Sequence, residues 1–254
     1  MKRLVLGLAA AAVALAQAPA EVRFLCFAPS PYTGRHDALR AGLGIHLSLR
    51  KVIEDHKLPL RTTFRDGARA YDQAEAAKSL VRGARILVIG GSVWAQGSAY
   101  YLRRFFEFVD AEPLSGVSVT AWATAGGAHT GGEVAIGDIL RTAMGMGAQV
   151  FSLGQKYMVF TTDERIGPKE GQFTPMDAWY MDQFARTIAW TALAGGDPSR
   201  AAALARRLGT SPQYWNLLPK DEAALARYAP LLERLNAAAD PQSAAYKELL
   251  KLVE

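Results

Sequence analysis

A chain of 254 residues that is 50% hydrophobic, 9% aromatic and 21% charged has enough apolar material for one substantial core, which excludes intrinsic disorder as its default state. Its formal charge of +5 is modest and its Lys and Arg residues are dispersed, without the basic stripe or module of a nucleic-acid binder. The single cysteine, Cys26, excludes an intramolecular disulfide and reads as a small buried hydrophobe.

In chain order, Lys2 and Arg3 lead into the apolar run "LVLGLAAAAVALAQA", which ends in the small-x-small triplet Ala16-Gln17-Ala18. This is the pattern of a signal peptide over residues 1–18, and the run is short for a spanning helix, which needs about 20 apolar residues. The expected address is exported, periplasmic or extracellular, with a retained membrane anchor as the alternative. Loss of Lys2 and Arg3 with the leader would lower the charge to +3.

Five apolar runs follow and are expected as strands: Val22–Ala28, Leu60–Phe64, Arg85–Gly91, Val117–Ala123 and Ala148–Gly154. "RILVIGG" is nearly continuous in apolar residues, as a strand covered on both faces must be. Helical stretches separate the runs. One ends near Glu54 or Asp55, an Ala-rich one covers Ala68 to Leu80, another groups Tyr101, Phe105 and Phe108, and another groups Ile136, Ile139, Leu140 and Ala143. A longer helix is expected over Met176–Ala194, with Thr174 as N-cap and Pro175 at the first helical position. This alternation implies an α/β domain over residues 19–195, a doubly wound parallel sheet with helices on both faces. After "GGDPSR" the composition becomes rich in Ala, Leu, Arg and Glu, and residues 196–254 read as a C-terminal helical extension. Its helices are expected at Ser199–Leu208, Lys220–Ala238 and Pro241–Val253, as a packed appendage, an assembly element or a partly mobile tail.

Ligands of such sheets bind beyond the C-terminal ends of the strands, and three of those ends carry unusual loops. The first, "PSPYTGRHD", offers the hydroxyls of Ser30, Tyr32 and Thr33, then Gly34, Arg35 and His36, just before a helix whose N-terminus favours an anion such as phosphate. The plain alternative is a polar turn. The second, "GGSVWAQGSAYYLRR", combines glycines that permit close backbone approach with Trp94, either a flat surface for a planar ligand or a core anchor. The third, "ATAGGAHTGGEVAIG", sets glycine amides around His129, which can donate or accept a hydrogen bond.

The order of these loops resembles the flavodoxin-like superfamily, and more closely the WrbA-like NAD(P)H:quinone oxidoreductases, over roughly Val22 to Ala194. The resemblance implies a flavodoxin-like three-layer sandwich with a five-stranded parallel sheet, to which the C-terminal helical extension is added. It implies FMN as cofactor, with Ser30, Tyr32, Thr33, Gly34, Arg35 and His36 at the phosphate. Gly91, Ser92, Val93, Trp94, Ala95 and Gln96 would lie along the isoalloxazine ring and ribityl chain. Thr124, Ala125, Gly126, Gly127, His129 and Gly132 would border the flavin or the place where a quinone or nicotinamide stacks. Within this resemblance His129 or Tyr32 steadies the acceptor oxygen, the only catalytic roles it implies. The first loop departs from the family's Ser-x-Tyr-Gly-His pattern by inserting Thr33 and Arg35, and small Ala125 and Ala128 replace more polar residues in the third.

The implied function is an FMN-binding oxidoreductase or electron-transfer flavoprotein that reduces a quinone or another small acceptor, with NAD(P)H or a protein as electron donor. Nicotinamide cofactors are scarce outside the cytoplasm, and "MKRLVLG" lacks the paired arginines that export folded, cofactor-loaded proteins, so the expected address favours the fold over the NAD(P)H donor. The alternative is a non-catalytic flavodoxin-fold protein that binds a ligand or a protein partner, including a second copy of itself. Other chemistries find less support. The four histidines, His36, His46, His56 and His129, follow no metal-ligand spacing, and Ser92 lacks the Gly-x-Ser-x-Gly elbow.

Overall fold

The computed structural model describes residues 19–27, 37–70, 72–94, 97–98, 100–109, 114–125, 131–153, 158–161, 171–210 and 222–254. β1 (Ala20–Phe27), β2 (Leu60–Asp66), β3 (Ile86–Trp94) and β5 (Ser118–Ala125) are parallel and lie in the order β2-β1-β3-β5. A two-residue segment, β4 (Gly97–Ser98), folds back antiparallel on the end of β3.

The fifth position differs from the expected continuous run. It is filled by two short segments, β6 (Gln149–Val150) and β7 (Val159–Thr161), both parallel to β5. Val119 pairs with Val150 and Ala123 with Val159, so a four-residue step on β5 is matched by nine residues on its neighbour. The surplus leaves the ladder after Phe151, whose N–H still reaches Val119 O, and the ladder resumes where Ala123 N–H donates to Met158 O.

α1 (Asp37–His56) and α5 (Pro175–Ala194) pack together on one face of the sheet, while α2 (Ala74–Val81), α3 (Tyr100–Val109) and α4 (Gly132–Gly145) cover the other. Each face is recorded in the alternation of the strands. On the α1 face Trp122 is fully buried, and its indole N–H donates to Ala38 O at 3.1 Å. It fits because Gly90, its register partner on β3, and Gly42 on α1 leave room for the ring; a Cβ at either position would overlap it. One residue on, Phe27 points to the opposite face and meets Phe105 of α3, ring centroids 4.9 Å apart. Arg23, on that same face, donates to the carbonyls of Ser79, Leu80 and Arg82, supplying a cation and donors to the exposed carbonyls at the end of α2. α2 starts later than the Ala-rich stretch expected, because the Asp66 carboxylate accepts from Ala68 N–H and holds Gly67–Arg69 in a 3₁₀ turn first. α5 begins as its sequence implies, with a reciprocal capping box between Thr174 and Asp177 and Pro175 in the first turn.

The described residues after Gly196 build onto the α1 and α5 layer. α6 (Pro198–Arg207) lies on α5. The helix expected over Lys220–Ala238 is, in its described part, two helices, α7 (Glu222–Ala226) and α8 (Ala229–Ala237), since Pro230 cannot donate a backbone hydrogen bond and sits in the first turn of the second. α9 (Ala244–Leu250) follows, and Glu254 N–H then donates to Phe64 O on the outer edge of β2, beside an Arg65–Glu254 ion pair at 2.8 Å. Leu208, Leu235 and Leu249 are fully buried, so these helices share the domain core.

Candidate functional site

The observed order, with β6 and β7 counted as one position, places adjacent strands β1 and β3 on either side of the point where the chain reverses its direction of winding. Their C-terminal ends flank the crevice in which this class of sheet binds ligands. Phe27, Gly91, Ala123 and Val159 form one row across the sheet, followed by Ser92, Thr124 and Phe160, and then by Ala125 and Thr161. β3 runs three residues past the paired end of β1 before turning back into β4, so its last residues stand above the β1 end.

Of the residues singled out from sequence, Gly91, Ser92, Val93 and Trp94 stand at the end of β3, Thr124 and Ala125 at the end of β5, and Gly132 at the start of α4. The topology brings these three groups to one edge. Ser30, Tyr32, Thr33, Gly34, Arg35, His36, Ala95, Gln96, Gly126, Gly127 and His129 lie outside the described residues. The segments that hold them depart from Phe27, Trp94 and Ala125, on adjacent strands.

Two glycines of the site already serve the fold. A Cβ on Gly91 would run into the backbone carbonyl of Phe27, and one on Gly132 would overlap the Val159 side chain. Gly131 precedes α4 with φ of 93°, a left-handed conformation that glycine adopts without strain, and provides no side-chain cap. Thr124 and Ala125 are buried, whereas Ser92 and Val93 are half-buried. Gly91, Ser92, Val93, Thr124, Ala125 and Gly132 are small and uncharged, whereas Trp94 ends β3 and Glu133 lies in the first turn of α4.

Beneath the rim, Phe27, Gly91, Leu102, Ala123, Ala135 and Ile139 enclose a pocket of about 10 Å³, at most one water's worth, so a ligand here sits above the strand ends. Larger grooves lie elsewhere: about 730 Å³ between α3 and α4, about 500 Å³ along the β2 edge and about 480 Å³ between α1, α5 and α8. The strand edge remains the candidate for the fold's ligand, because the β1/β3 switch point is where sheets of this class bind their ligands.

One buried cation was not singled out from sequence. Arg40, in the first turn of α1, is fully buried and binds Asp37, Leu235 O at 2.9 Å and Gly171 O at 2.5 Å, with its guanidinium 4.9 Å from the Phe173 ring. Its Nε has no partner among the described residues. Arg40 thus neutralises the acid at the start of α1 and ties that end to the C-terminal helices; the only sequence signal is the i, i+3 spacing of Asp37 and Arg40. His46, set aside from sequence as a metal ligand, lies edge-on to Phe24 and Phe64 and reaches Thr62 Oγ1 at 3.1 Å. Burial, with Arg50 adding repulsion, lowers it to about 3, so it is a neutral core residue and no acid–base group.

The sequence matches no protein-family model and no curated protein. Solved structures do match. An oxidoreductase from Corynebacterium diphtheriae is similar at 15% identity and TM-score 0.52, over 75% of this chain and 99% of that one. The flavodoxin, WrbA-like protein from Agrobacterium tumefaciens is similar at 10% identity and TM-score 0.52, over 69% of this chain and 99% of that one. The rubredoxin oxygen:oxidoreductase of Desulfovibrio gigas also matches, at 13% identity and TM-score 0.47 over 69% of this chain, which spans 36% of that protein's length. Together with the sheet order, the first two of these likenesses establish the fold: a flavodoxin-like three-layer α/β sandwich with a five-position parallel sheet and additional C-terminal helices.

Proposed function

We propose that the chain is an FMN-binding oxidoreductase or electron-transfer flavoprotein that acts on a quinone or another small acceptor. One observation carries the reading: the ends of β3 and β5 and the start of α4 converge beside the β1/β3 switch point, where flavodoxin-like sheets hold FMN. The residues there fit a planar ring. Gly91, Ser92, Val93, Thr124, Ala125 and Gly132 put no charged side chain and little bulk against it, and the uncapped start of α4 offers backbone donors. At the neighbouring start of α1, the Asp37 carboxylate that would oppose a phosphate is neutralised by Arg40.

FMN, when bound, supplies the electron-transfer chemistry. The protein holds and orients it: Ser92 and Thr124 present hydroxyls at adjacent register positions, and His129 or Tyr32 is assigned to steady the acceptor oxygen. The donor is NAD(P)H or a reduced protein, the latter fitting better with export directed by residues 1–18. WrbA-like quinone reduction is the specific form favoured by the three loops. The test is to add FMN to the chain lacking residues 1–18, remove free flavin and mix the reduced protein with a soluble quinone. A protein-bound flavin absorption band that bleaches on reduction and returns on quinone addition is expected. Bound flavin without quinone-dependent reoxidation would support ligand binding without turnover, and absence of bound flavin would overturn the reading.

A further inference from the structure

The groove between α1, α5 and α8 differs from the others in charge. Lys51, Arg186, Arg227 and Arg234 line it, against Asp55 and Asp182. Lys51 pairs with Asp55 at 3.1 Å, and Arg186 Nε with Asp182 Oδ2 at 2.9 Å, which leaves a surplus of two positive charges on Arg227 and Arg234. Around the α3/α4 groove Arg103 and Arg141 are balanced by Glu107 and Asp138.

Asp182 is occupied by other partners. The Tyr228 hydroxyl donates to Asp182 Oδ2 at 2.9 Å, so that one carboxylate oxygen receives both Arg186 and Tyr228. Burial, with the Asp182 charge beside it, pushes Tyr228 up to about 12, which keeps it a donor. Arg227 is left only a distant approach to Asp182, at 3.9 Å; it lies over the Tyr228 ring, 4.7 Å from the centroid, and donates to its hydroxyl. Arg234 projects from α8 on the same side and has no ion-pair partner among the described residues. Leu47 and Leu231, both half-buried, and Pro230 give the groove an apolar wall.

We propose that this groove binds a phosphate monoester with a small apolar body, its dianionic head between Arg227 and Arg234 and its body on Leu47, Pro230 and Leu231. The volume of about 480 Å³ suits a small organic molecule. A doubly charged head matches the charge surplus, and guanidinium groups bind phosphate oxygens through paired N–H donors. The site is separate from the strand edge and stands whether or not the edge binds flavin.

The test titrates the full chain with phenyl phosphate by calorimetry, with phenol and inorganic phosphate as partial ligands. Saturable binding of phenyl phosphate is expected, with each partial ligand at least about tenfold weaker and with affinity falling as salt rises. Arg234→Glu is expected to weaken phenyl phosphate about tenfold or more, and Arg227→Glu/Arg234→Glu to abolish it while thermal unfolding stays within a degree or two. No saturation up to about 10 mM, or affinity unchanged in the double variant, overturns the proposal. If FMN affinity falls in parallel with phenyl phosphate in these variants, the groove is part of the flavin site and the proposal of a separate site fails.

Discussion

The strand edge and the groove under the C-terminal helices are built from opposite materials. At the edge, Gly91, Ser92, Val93, Thr124, Ala125 and Gly132 are small and uncharged, and what they offer is backbone and shape. In the groove, Lys51, Arg186, Arg227 and Arg234 offer charge on long side chains. Shape recognition tolerates salt and fails when a methyl group is added, whereas charge recognition tolerates small steric changes and weakens with salt. Arg40 stands between the two regions, bound to Asp37 at the start of α1 and to Leu235 O near the end of α8.

Breaking that link is expected to have the largest effect. Arg40→Leu leaves Asp37 without its guanidinium and two carbonyls without a donor, at a cost of about 3–5 kcal/mol in urea unfolding. Hydrogen exchange in this variant is expected to quicken at α8 and α9 before it quickens in the sheet. An unfolding midpoint that does not move would show that the C-terminal helices are held by other contacts.

A steric change confined to the edge comes next. Gly132→Val drives a side chain into Val159, with an expected loss of about 1–3 kcal/mol. FMN binding is expected to weaken more than tenfold while phenyl phosphate binding in the groove is unchanged. Equal losses at both sites would erase the distinction between them.

His46 gives the contrast a pH axis. Its folded value, about 3, lies below the unfolded value of about 6.5, so its contribution is complete above pH 6.5 and is lost as pH falls toward 3. Between pH 6.5 and 5 that amounts to about 2 kcal/mol for one proton taken up on unfolding. His46→Gln, which cannot take up that proton, is expected to flatten the stability profile over this window, and an unchanged slope would place its origin in other groups. The smallest effect is that of Arg234→Glu on stability, within about 0.5 kcal/mol because the side chain is exposed, set against its large expected effect on phenyl phosphate.

Most of the architecture was legible because periodicity is a local signal. The continuous apolar run of β3 and the Thr174-Pro175 start of α5 both stand in the structure where the sequence put them, within a few residues. "AQVFSLG" could not disclose that its ladder stops after Phe151, since that depends on where β5 offers partners. The reason for Gly90 was not legible either: its space belongs to Trp122, a residue 32 positions later that only sheet register brings alongside. Arg40 was invisible for the same reason, because its carbonyl partners lie 131 and 195 residues away in sequence. At the candidate site, Gly91, Thr124 and Gly132 stand at the element ends that the sequence pattern implied. That pattern could not show that Gly91 and Gly132 are also required for close packing.

The central claim is that the β1/β3 edge holds FMN by shape and backbone. Its most direct test is a flavin fluorescence titration of the chain lacking residues 1–18, run with the unaltered protein, Gly132→Val and Arg227→Glu/Arg234→Glu. One saturable site that is lost in Gly132→Val and retained in the double arginine variant is the expected result. No quenching of flavin fluorescence by the unaltered protein, or binding lost only with the arginines, would contradict it.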